Sequence, residues 1–179
     1  MIITRRNAVL NHDASSMTRL SRRTLGLAAA FSLVGVLGAL QTFGQGQKLQ
    51  TFEKNRLAIQ TKTGRHEFRV EIARRPKQQA QGLMFRRRIA ADAGMLFIYR
   101  SSEPVSMWMK NTFIPLDLVY IDRTGRIVGF HQRAVPQSLE VITSKKPVRA
   151  VLEVNAGTAA RLQIAVGDKV LHPAFQAKQ

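Results

Sequence analysis

Alternating apolar and polar positions run through most of the chain after about residue 55. Short segments rich in Val, Ile, Leu and aromatic side chains are bounded there by Gly, Pro, Asn or Asp. A period of two with such boundaries is typical of β-strands. The predicted strands are 57–61, 66–73, 94–99, 105–109, 116–121, 126–132, 148–154 and 168–172. Turns at Thr63-Gly64 and at Asp122 to Gly125 predict two hairpins.

Two segments depart from this alternation. In residues 74–88, Pro76 stands where the first turn of a helix accepts proline, and apolar residues follow at helical spacing. Residues 157–164 suit one more helical turn before a tight bend. Many short strands with two short helices predict a mainly β (α+β) fold, namely a small closed or partly open β-barrel-like domain.

The first 45 residues have the layout of a bacterial export signal. Arg22 and Arg23 directly precede an apolar run from Leu25 to Leu40. The arginine pair fits a twin-arginine signal as well as an ordinary secretory signal, so the route stays open. The run is shorter than the roughly 20 residues that span a bilayer, yet an uncleaved anchor is an alternative to cleavage. Met17 opens a better-proportioned signal and is a candidate translation start.

The sequence therefore predicts three parts. Residues 1–45 form the export signal and linker, residues 55–173 form a single β-rich domain, and residues 174–179 form a tail. The expected location of the domain is periplasmic or otherwise extracytoplasmic, either free or held at the inner membrane by the uncleaved N-terminal segment. We expect it to be a monomer.

Charge and cysteine content restrict the chemistry. Lys and Arg number 28 against 11 acidic residues, and residues 45–179 retain 23 basic and 10 acidic groups. Such a field attracts phosphates, so an anionic lipid surface is one permitted partner. No aromatic-and-basic nucleic-acid motif accompanies the charge, so nucleic acid is not an expected partner. The absence of cysteine excludes disulfides, thiol catalysis and thiolate metal sites.

The segment VSMWMKNTFIPLDLVYID, residues 105–122, concentrates the candidate chemistry. If its two strands pair as a hairpin, Lys110 and Asp117 meet near the turn beside the flat wall of Trp108. One aromatic side chain with a few convergent polar groups can hold a small polar ligand. The alternative is structural: Asn111, Thr112 and Asp117 satisfy backbone groups of the turn while Lys110 pairs with Asp117. Both interpretations stay open.

Two other kinds of site are weaker alternatives. An envelope enzyme could use Asp117 and Glu153 as acid and base, but no nucleophile pattern or Gly-rich phosphate loop is present. Glu153 ends an apolar strand and needs a partner, for which Arg86 and Lys110 are candidates. Copper(I) could bind thioethers, because four methionines lie within 26 residues (Met84, Met95, Met107 and Met109). Core packing explains methionines on alternate strand positions equally well, and no other metal site or cofactor is expected.

Five segments resemble a known family in order and spacing. They are GLMFRR (82–87), GMLF (94–97), WMKNTFIPLDLVYID (108–122), VLEVNAG (151–157) and VGDKV (166–170). Over about residues 55–173 the chain resembles the bacterial and archaeal family known as domain of unknown function 192. The resemblance implies a compact, mostly β fold, frequently preceded by an export signal or membrane anchor. It implies no agreed biochemical activity.

The leading hypothesis from the sequence is therefore an exported, non-enzymatic binding domain. Its partner would be a small ligand or a cell-envelope protein. The residues expected to form the binding surface are Trp108, Lys110, Asn111, Asp117, Arg86 and Glu153.

Overall fold

The computed structural model describes residues 48–176, and they form a mainly β fold with two short helices. The elements in chain order are β1 Glu53–Thr61, β2 Gly64–Ala73, α1 Pro76–Gln81, β3 Ala93–Glu103, β4 Ser106–Met107, β5 Leu116–Ile121, β6 Ile127–Ala134, β7 Ile142–Thr143, β8 Val148–Asn155, α2 Thr158–Arg161, β9 Lys169–Leu171 and a 3₁₀ turn Pro173–Phe175. The predicted fold class is confirmed. The predicted export signal in residues 1–45 lies outside the described residues.

Seven strands form one sheet in the order β6-β5-β8-β3-β2-β1-β9, and β4 pairs separately with β7. The large sheet curls into a half-barrel because its two edge strands approach each other at one end. There the amide of Ile127 donates to the carbonyl of Asp168 at 2.9 Å, and the amide of Val170 donates to the carbonyl of Gly125 at 2.8 Å. A Cβ on Gly125 would lie 2.7 Å from the Val170 carbonyl oxygen, so this closure needs glycine. The barrel is thus partly open.

The sheet buries apolar side chains on both faces. The inner core receives residues from all seven strands and from the α2 region, and it includes Leu57, Val70, Leu96, Val119, Ile127, Leu152, Ala159 and Val170. The outer core lies on the other face of the central strands β3, β5 and β8. It is covered by β4 and neighbouring loops, and it includes Leu83, Met95, Phe97, Tyr99, Met107, Met109, Leu118, Tyr120 and Val151. Residues 48–176 are therefore layered about one sheet.

Helix α1 is short and begins at a proline, as the sequence predicts. Two buried glutamines fasten it to the sheet. The side-chain oxygen of Gln78 accepts the amides of Arg74 and Arg75, and the side-chain amide of Gln79 donates to the carbonyl of Ile98 at 2.9 Å. These bonds satisfy polar groups at the helix start and hold the following loop in place.

The second predicted helical turn also exists, as α2. The predicted hairpin of the first two strands is confirmed as β1 with β2, in antiparallel register. Within residues 48–176 no helix has the length and the apolar character needed to cross a membrane.

One pairing predicted from the sequence is wrong. The strand expected at 105–109 is only two residues long, and β4 pairs with β7 rather than with β5. Strand β5 instead lies between β6 and β8. Strand β4 ends at Met107, and the chain that follows contains Asn111 in a left-handed conformation, with φ of 56°, before Pro115. No hairpin therefore brings Lys110 to Asp117.

Candidate functional site

Three segments meet at one place on the structure, and we call them the loop cluster: the loops 82–90 and 108–115, and residues 133–141, which are the end of β6 and the loop after it. The central loop holds the other two by backbone hydrogen bonds. The amide of Phe85 donates to the carbonyl of Asn111 at 2.9 Å, and the amide of Gln137 donates to the carbonyl of Thr112 at 3.0 Å. The amide of Met109 donates to the carbonyl of Ser138 at 3.1 Å. The three loops therefore form one continuous surface.

The backbone of the loop cluster is strained. Residues 48–176 contain five non-glycine residues with positive φ, and four of them lie in these loops: Phe85 at 67°, Asn111 at 56°, Arg133 at 54° and Gln137 at 61°. Side chains disfavour this region, and the cost is about 1 kcal/mol or more per residue. Strain of this kind concentrates at functional sites, where the surrounding structure fixes an otherwise unfavourable conformation. This concentration marks the loop cluster as the candidate site.

Trp108 and Lys110 of the predicted surface lie side by side in the loop cluster. The ammonium of Lys110 stands 5.2 Å from the centre of the Trp108 ring, which is a cation–π contact. The indole N–H of Trp108 is buried without a hydrogen-bond partner among residues 48–176. Trp108 is also the single tryptophan of the chain. The contact presents an aromatic ring and a positive charge together.

Large apolar side chains are exposed around this pair. The rings of Phe85 and Phe113 pack edge to face, with their centres 6.4 Å apart, and both are 41 % exposed. Val135, Leu139 and Val141 of the third loop are more than half exposed. The same loops carry five basic side chains (Arg86, Arg87, Arg88, Lys110 and Arg133) and one acidic side chain, Glu140. Apolar tips with a basic rim mark an interaction surface.

Asp117 lies beneath the loop cluster and is fully buried on the inner face of the sheet. One carboxylate oxygen accepts the amide of Arg133 at 2.9 Å, and the other accepts the amide of Ala159 at 3.0 Å. Both bonds are to backbone, so Asp117 fixes the strained start of the third loop and the start of α2. Asp117 forms no ion pair with Lys110 and is not exposed to a ligand. The prediction that Asp117 forms part of the binding surface is therefore wrong. Asp117 is buried and holds the third loop through its backbone.

Glu153 lies on the opposite face of the sheet from Asp117. Their strands are neighbours, with Asp117 aligned to Val154 and Glu153 aligned to Leu118 of the outer core. Successive side chains alternate faces, so the two carboxyl groups are separated by the sheet. The acid and base pairing considered from the sequence therefore has no shared cleft.

Burial raises the pKa of Glu153 to about 7. Burial raises the pKa of the Tyr99 phenol, and the nearby carboxyl of Glu153 raises it further. Within residues 48–176 Glu153 has no ion-pair partner, and the hydroxyls of Tyr99 and Tyr120 are buried without hydrogen-bond partners. The outer core thus contains several polar groups that the sheet does not satisfy.

Arg86 pairs with Glu71 of β2, and not with Glu153 as one sequence interpretation had it. Two guanidinium nitrogens of Arg86 reach the two carboxylate oxygens at 3.1 and 2.5 Å. The guanidinium also lies 5.9 Å from the centre of the Phe52 ring. This forked contact ties the first loop of the cluster to the sheet.

The methionines considered as copper ligands are buried. Met95, Met107 and Met109 belong to the outer core, and Met84 is a buried residue of the first loop. No group of three or more His, Cys, Asp or Glu side chains within residues 48–176 is arranged to hold a metal ion. Packing accounts for these methionines without a ligand.

The sequence interpretation missed the exposed apolar residues. Phe85, Phe113, Val135 and Leu139 stand in segments without strand alternation, each within two residues of a proline or a charged residue. Apolar side chains in such turn-like segments could have indicated this surface, since loops normally present polar groups.

Most of the described chain matches a known family model. The family model DUF192, described as Uncharacterized ACR, matches residues 58–172. A crystal structure from Sinorhizobium meliloti 1021, provisionally described as a transcription regulator, is similar with 44 % identity and a TM-score of 0.68. The match covers 71 % of this chain and 99 % of that chain. A protein of unknown function from Novosphingobium aromaticivorans DSM 12444 has 39 % identity and a TM-score of 0.65, covering 66 % and 85 %. No curated protein matches.

Proposed function

We propose that this chain, which belongs to the DUF192 family, is an extracytoplasmic, non-enzymatic binding domain that docks on an anionic membrane surface through its loop cluster. Family membership alone assigns no activity. The observation that carries the proposal is the group of exposed apolar side chains on three joined loops that also carry basic residues.

Apolar tips and basic rims act together at a lipid surface. Side chains such as Phe113 and Leu139 can enter the boundary between headgroups and acyl chains, where burial of apolar area stabilises binding. Lys110, Arg87 and Arg88 are exposed beside them and attract anionic headgroups, at about 1 kcal/mol for each basic residue near the surface. With Arg86 neutralised by Glu71, the loop cluster keeps a net excess of three positive charges, the sign that this partner requires.

The shape of the surface favours a membrane over a small ligand. Phe85, Phe113 and Leu139 project from loops, and a small molecule needs a concave pocket for most of its surface. The sequence adds proximity to the bilayer. Twelve residues separate Leu40, the end of the apolar run of the predicted export signal, from Glu53, the start of β1, and such a linker spans at most about 43 Å. An uncleaved signal would hold the domain within reach of the inner membrane.

Asp117 and Arg86, which the sequence predicted on the binding surface, instead hold the loops of the cluster in place. Asp117 fixes Arg133 in the third loop, and Arg86 ties the first loop to Glu71. Trp108 and Lys110 remain on the docking surface, with Asn111 shaping the central loop.

The fluorescence of Trp108 tests the proposal directly, because no other tryptophan contributes. Vesicles of phosphatidylglycerol added to the full-length protein should shift the emission to shorter wavelength. Vesicles of phosphatidylcholine should produce a much smaller shift. Raising the salt concentration from about 0.05 M to about 0.5 M should weaken the response, since salt screens exposed charges. An emission spectrum that stays unchanged while the protein sediments with the vesicles would contradict docking by the loop cluster.

Matched variants separate this surface from the rest of the protein. Phe113→Ser with Leu139→Ser should raise the lipid concentration for half-maximal emission change by about tenfold, because two apolar side chains leave the interface. Val166→Ser with Leu171→Ser removes apolar residues of similar exposure, 59 % and 38 %, outside the loop cluster and should have little effect. Equal losses in both pairs would contradict the proposal.

Two other partners are outcomes of the same titration. The provisional description of the Sinorhizobium meliloti protein as a transcription regulator favours DNA as an alternative for the basic surface. A random DNA duplex that shifts Trp108 emission more than phosphatidylglycerol vesicles would replace the membrane by nucleic acid. Emission that responds to neither, but does respond to a purified envelope protein, would assign the loop cluster to protein binding.

A further inference from the structure

We infer that Glu153 is a proton-linked positioning residue of the loop cluster, and that its neutral form keeps the three segments in the arrangement that docks. This inference rests on the proposed docking and names its regulation, which is control by pH. Glu153 acts through the loops and not by contact with the membrane, because its side chain is buried in the outer face of the sheet.

The loop cluster and Glu153 share the outer core. Each of the three segments puts at least one buried side chain into that core, namely Leu83, Met109, Ile114 and Ala134. Glu153 stands on β8 between Met95 of β3 and Leu118 of β5, which belong to the same core. The carboxyl group therefore lies in the core that the loop cluster covers.

A direct link joins the same face of β8 to the first segment. Asn155 follows Glu153 by two residues, so both side chains leave the same face of the strand. The side-chain amide of Asn155 donates to the carbonyls of Ile89 and Ala90, at 3.3 and 3.1 Å. The contact that holds the first segment on the sheet is thus two residues from Glu153.

The sheet places no counter-charge beside Glu153 within residues 48–176. Arg149 shares its face of β8 but stands four residues away, about 13 Å along the strand. The next charged groups in the same row lie two strands away on either side. They are Glu71 of β2, which already pairs with Arg86, and the titratable ring of His131 on β6.

The other groups that face the outer core are uncharged near pH 7. Burial raises the pKa of the Tyr99 phenol on β3 and raises that of Tyr120 on β5 to about 12. The side chains that the covering segments bury there are apolar, and Lys110 of the central segment is exposed. Surroundings of this kind favour the neutral form of a carboxyl group.

Ionisation of Glu153 and the packed loops therefore oppose each other. A carboxylate among apolar side chains is costly, and its hydration requires the covering loops to separate from the sheet. Docking requires the packed arrangement, because Phe85, Phe113 and Leu139 share one surface only while the three segments are joined. Proton binding at Glu153 and docking thus strengthen each other by linkage.

Acrylamide quenching of Trp108 in the full-length protein, without vesicles, tests the hold on the loops. Burial raises the pKa of Glu153 to about 7, so Glu153 is neutral at about pH 5.5 and ionised at about pH 8. The quenching constant should be larger at the higher pH, because Trp108 belongs to the central segment. Glu153→Gln should give equal quenching at both values. Far-ultraviolet circular dichroism verifies that each protein stays folded.

Titration with phosphatidylglycerol vesicles at the same two pH values tests the regulation. The lipid concentration for half-maximal emission change should be higher at the higher pH by about fivefold or more. Glu153→Gln stays neutral at both values and should lose this difference. The variant keeps every histidine, so the titration of His131 is common to both proteins.

The matched control is Glu140→Gln, which removes an exposed carboxyl group from the third segment. It should keep the difference between the two pH values. The same pH dependence in the unchanged protein and in Glu153→Gln would overturn the inference while docking itself stands. Equal quenching of the unchanged protein at both pH values would also overturn it.

Vesicles that change the emission at neither pH would contradict the proposed docking and, with it, this regulation. Quenching that depends on pH only when Glu153 is present would then still identify Glu153 as a positioning residue of the loops. The two experiments therefore separate failure of the docking from failure of the proton link.

Discussion

Asp117 and Glu153 lie on neighbouring strands, and both are buried, yet their surroundings differ completely. Asp117 faces the inner core, and both of its carboxylate oxygens accept backbone amides. Glu153 faces the outer core, where apolar residues and two tyrosines surround it and no cation within residues 48–176 pairs with it. Asp117 therefore supports the backbone on one face, whereas Glu153 on the other face has no ion-pair partner among residues 48–176.

This difference extends beyond the two acids. The inner core takes apolar residues from all seven strands, and the buried carboxylate of Asp117 beside it has both oxygens hydrogen-bonded. The outer core contains the unpaired hydroxyls of Tyr99 and Tyr120 and borders the loop cluster. Polar groups without partners and strained backbone are costly for folding alone. We therefore assign architecture to the inner face and binding to the outer face.

The largest expected effect comes from removing the carboxylate of Asp117, both of whose oxygens accept hydrogen bonds. Asp117→Ala leaves the buried amides of Arg133 and Ala159 without acceptors, and should lower the free energy of unfolding by about 4 kcal/mol. Asp117→Asn retains one acceptor oxygen and should lose roughly half as much. Urea denaturation measures both variants. A loss below about 1 kcal/mol for Asp117→Ala would contradict the supporting role.

Substitution of Glu153 should have a smaller effect, and it should raise the free energy of unfolding rather than lower it. The folded pKa of Glu153 is about 7, above its ordinary value of 4.5, so the folded state keeps a proton that the unfolded state releases. Protonated Glu153 makes its full contribution to the free energy of unfolding below about pH 4.5. This contribution falls as the pH rises and has decreased by about 3 kcal/mol once the pH exceeds 7. Glu153→Gln has no such proton and should be more stable at pH 8 but similar at pH 4.

Urea denaturation at both pH values compares Glu153→Gln with the unchanged protein. The difference between the two stability profiles should grow between pH 4.5 and pH 7 and then stay constant. Parallel profiles across this range would show that Glu153 is satisfied in the folded protein, which would remove the contrast with Asp117.

The ion pair of the outer face should contribute less. Arg86→Ala removes the forked contact with Glu71, whose side chain is only partly exposed, and should lower the free energy of unfolding by about 1 kcal/mol. Glu71→Gln should cost a similar amount, and the double variant should cost less than the sum if the two side chains interact. Additive losses in this cycle would mean that the pair does not tie the first loop to β2.

The smallest effect is expected for the unpaired hydroxyl. Tyr120→Phe removes a group without a hydrogen-bond partner and should change the free energy of unfolding by less than about 0.5 kcal/mol. Thermal denaturation measures the change. A loss above about 1.5 kcal/mol would show that this hydroxyl is satisfied and structural, like the carboxylate of Asp117.

Local patterns in the sequence contained most of the fold but less of the site. Alternation identified the long strands, and Pro76 marked the start of α1. The two-residue strands β4 and β7 carry too few residues for a period to show. The contrast between Asp117 and Glu153 depends on which face of a sheet each residue occupies, and thus on the register of β5 against β8. The register between two strands that are distant in sequence cannot be predicted from the sequence of either strand alone.

The loop cluster illustrates the same limit at the surface. Trp108, Lys110 and Asn111 could be selected from the sequence because they stand together. Phe85 and Leu139 come from loops more than 20 residues away on either side, and only tertiary hydrogen bonds bring them to the same surface. Their exposure follows from this assembly.

Hydrogen–deuterium exchange of the full-length protein with phosphatidylglycerol vesicles tests the central claim most directly. We predict slower amide exchange in residues 82–90, 108–115 and 133–141 when vesicles are present, and unchanged exchange in the turns 122–126 and 165–168. Slower exchange in those two turns would contradict docking through the loop cluster. So would unchanged exchange throughout residues 48–176 while the protein remains bound to the vesicles.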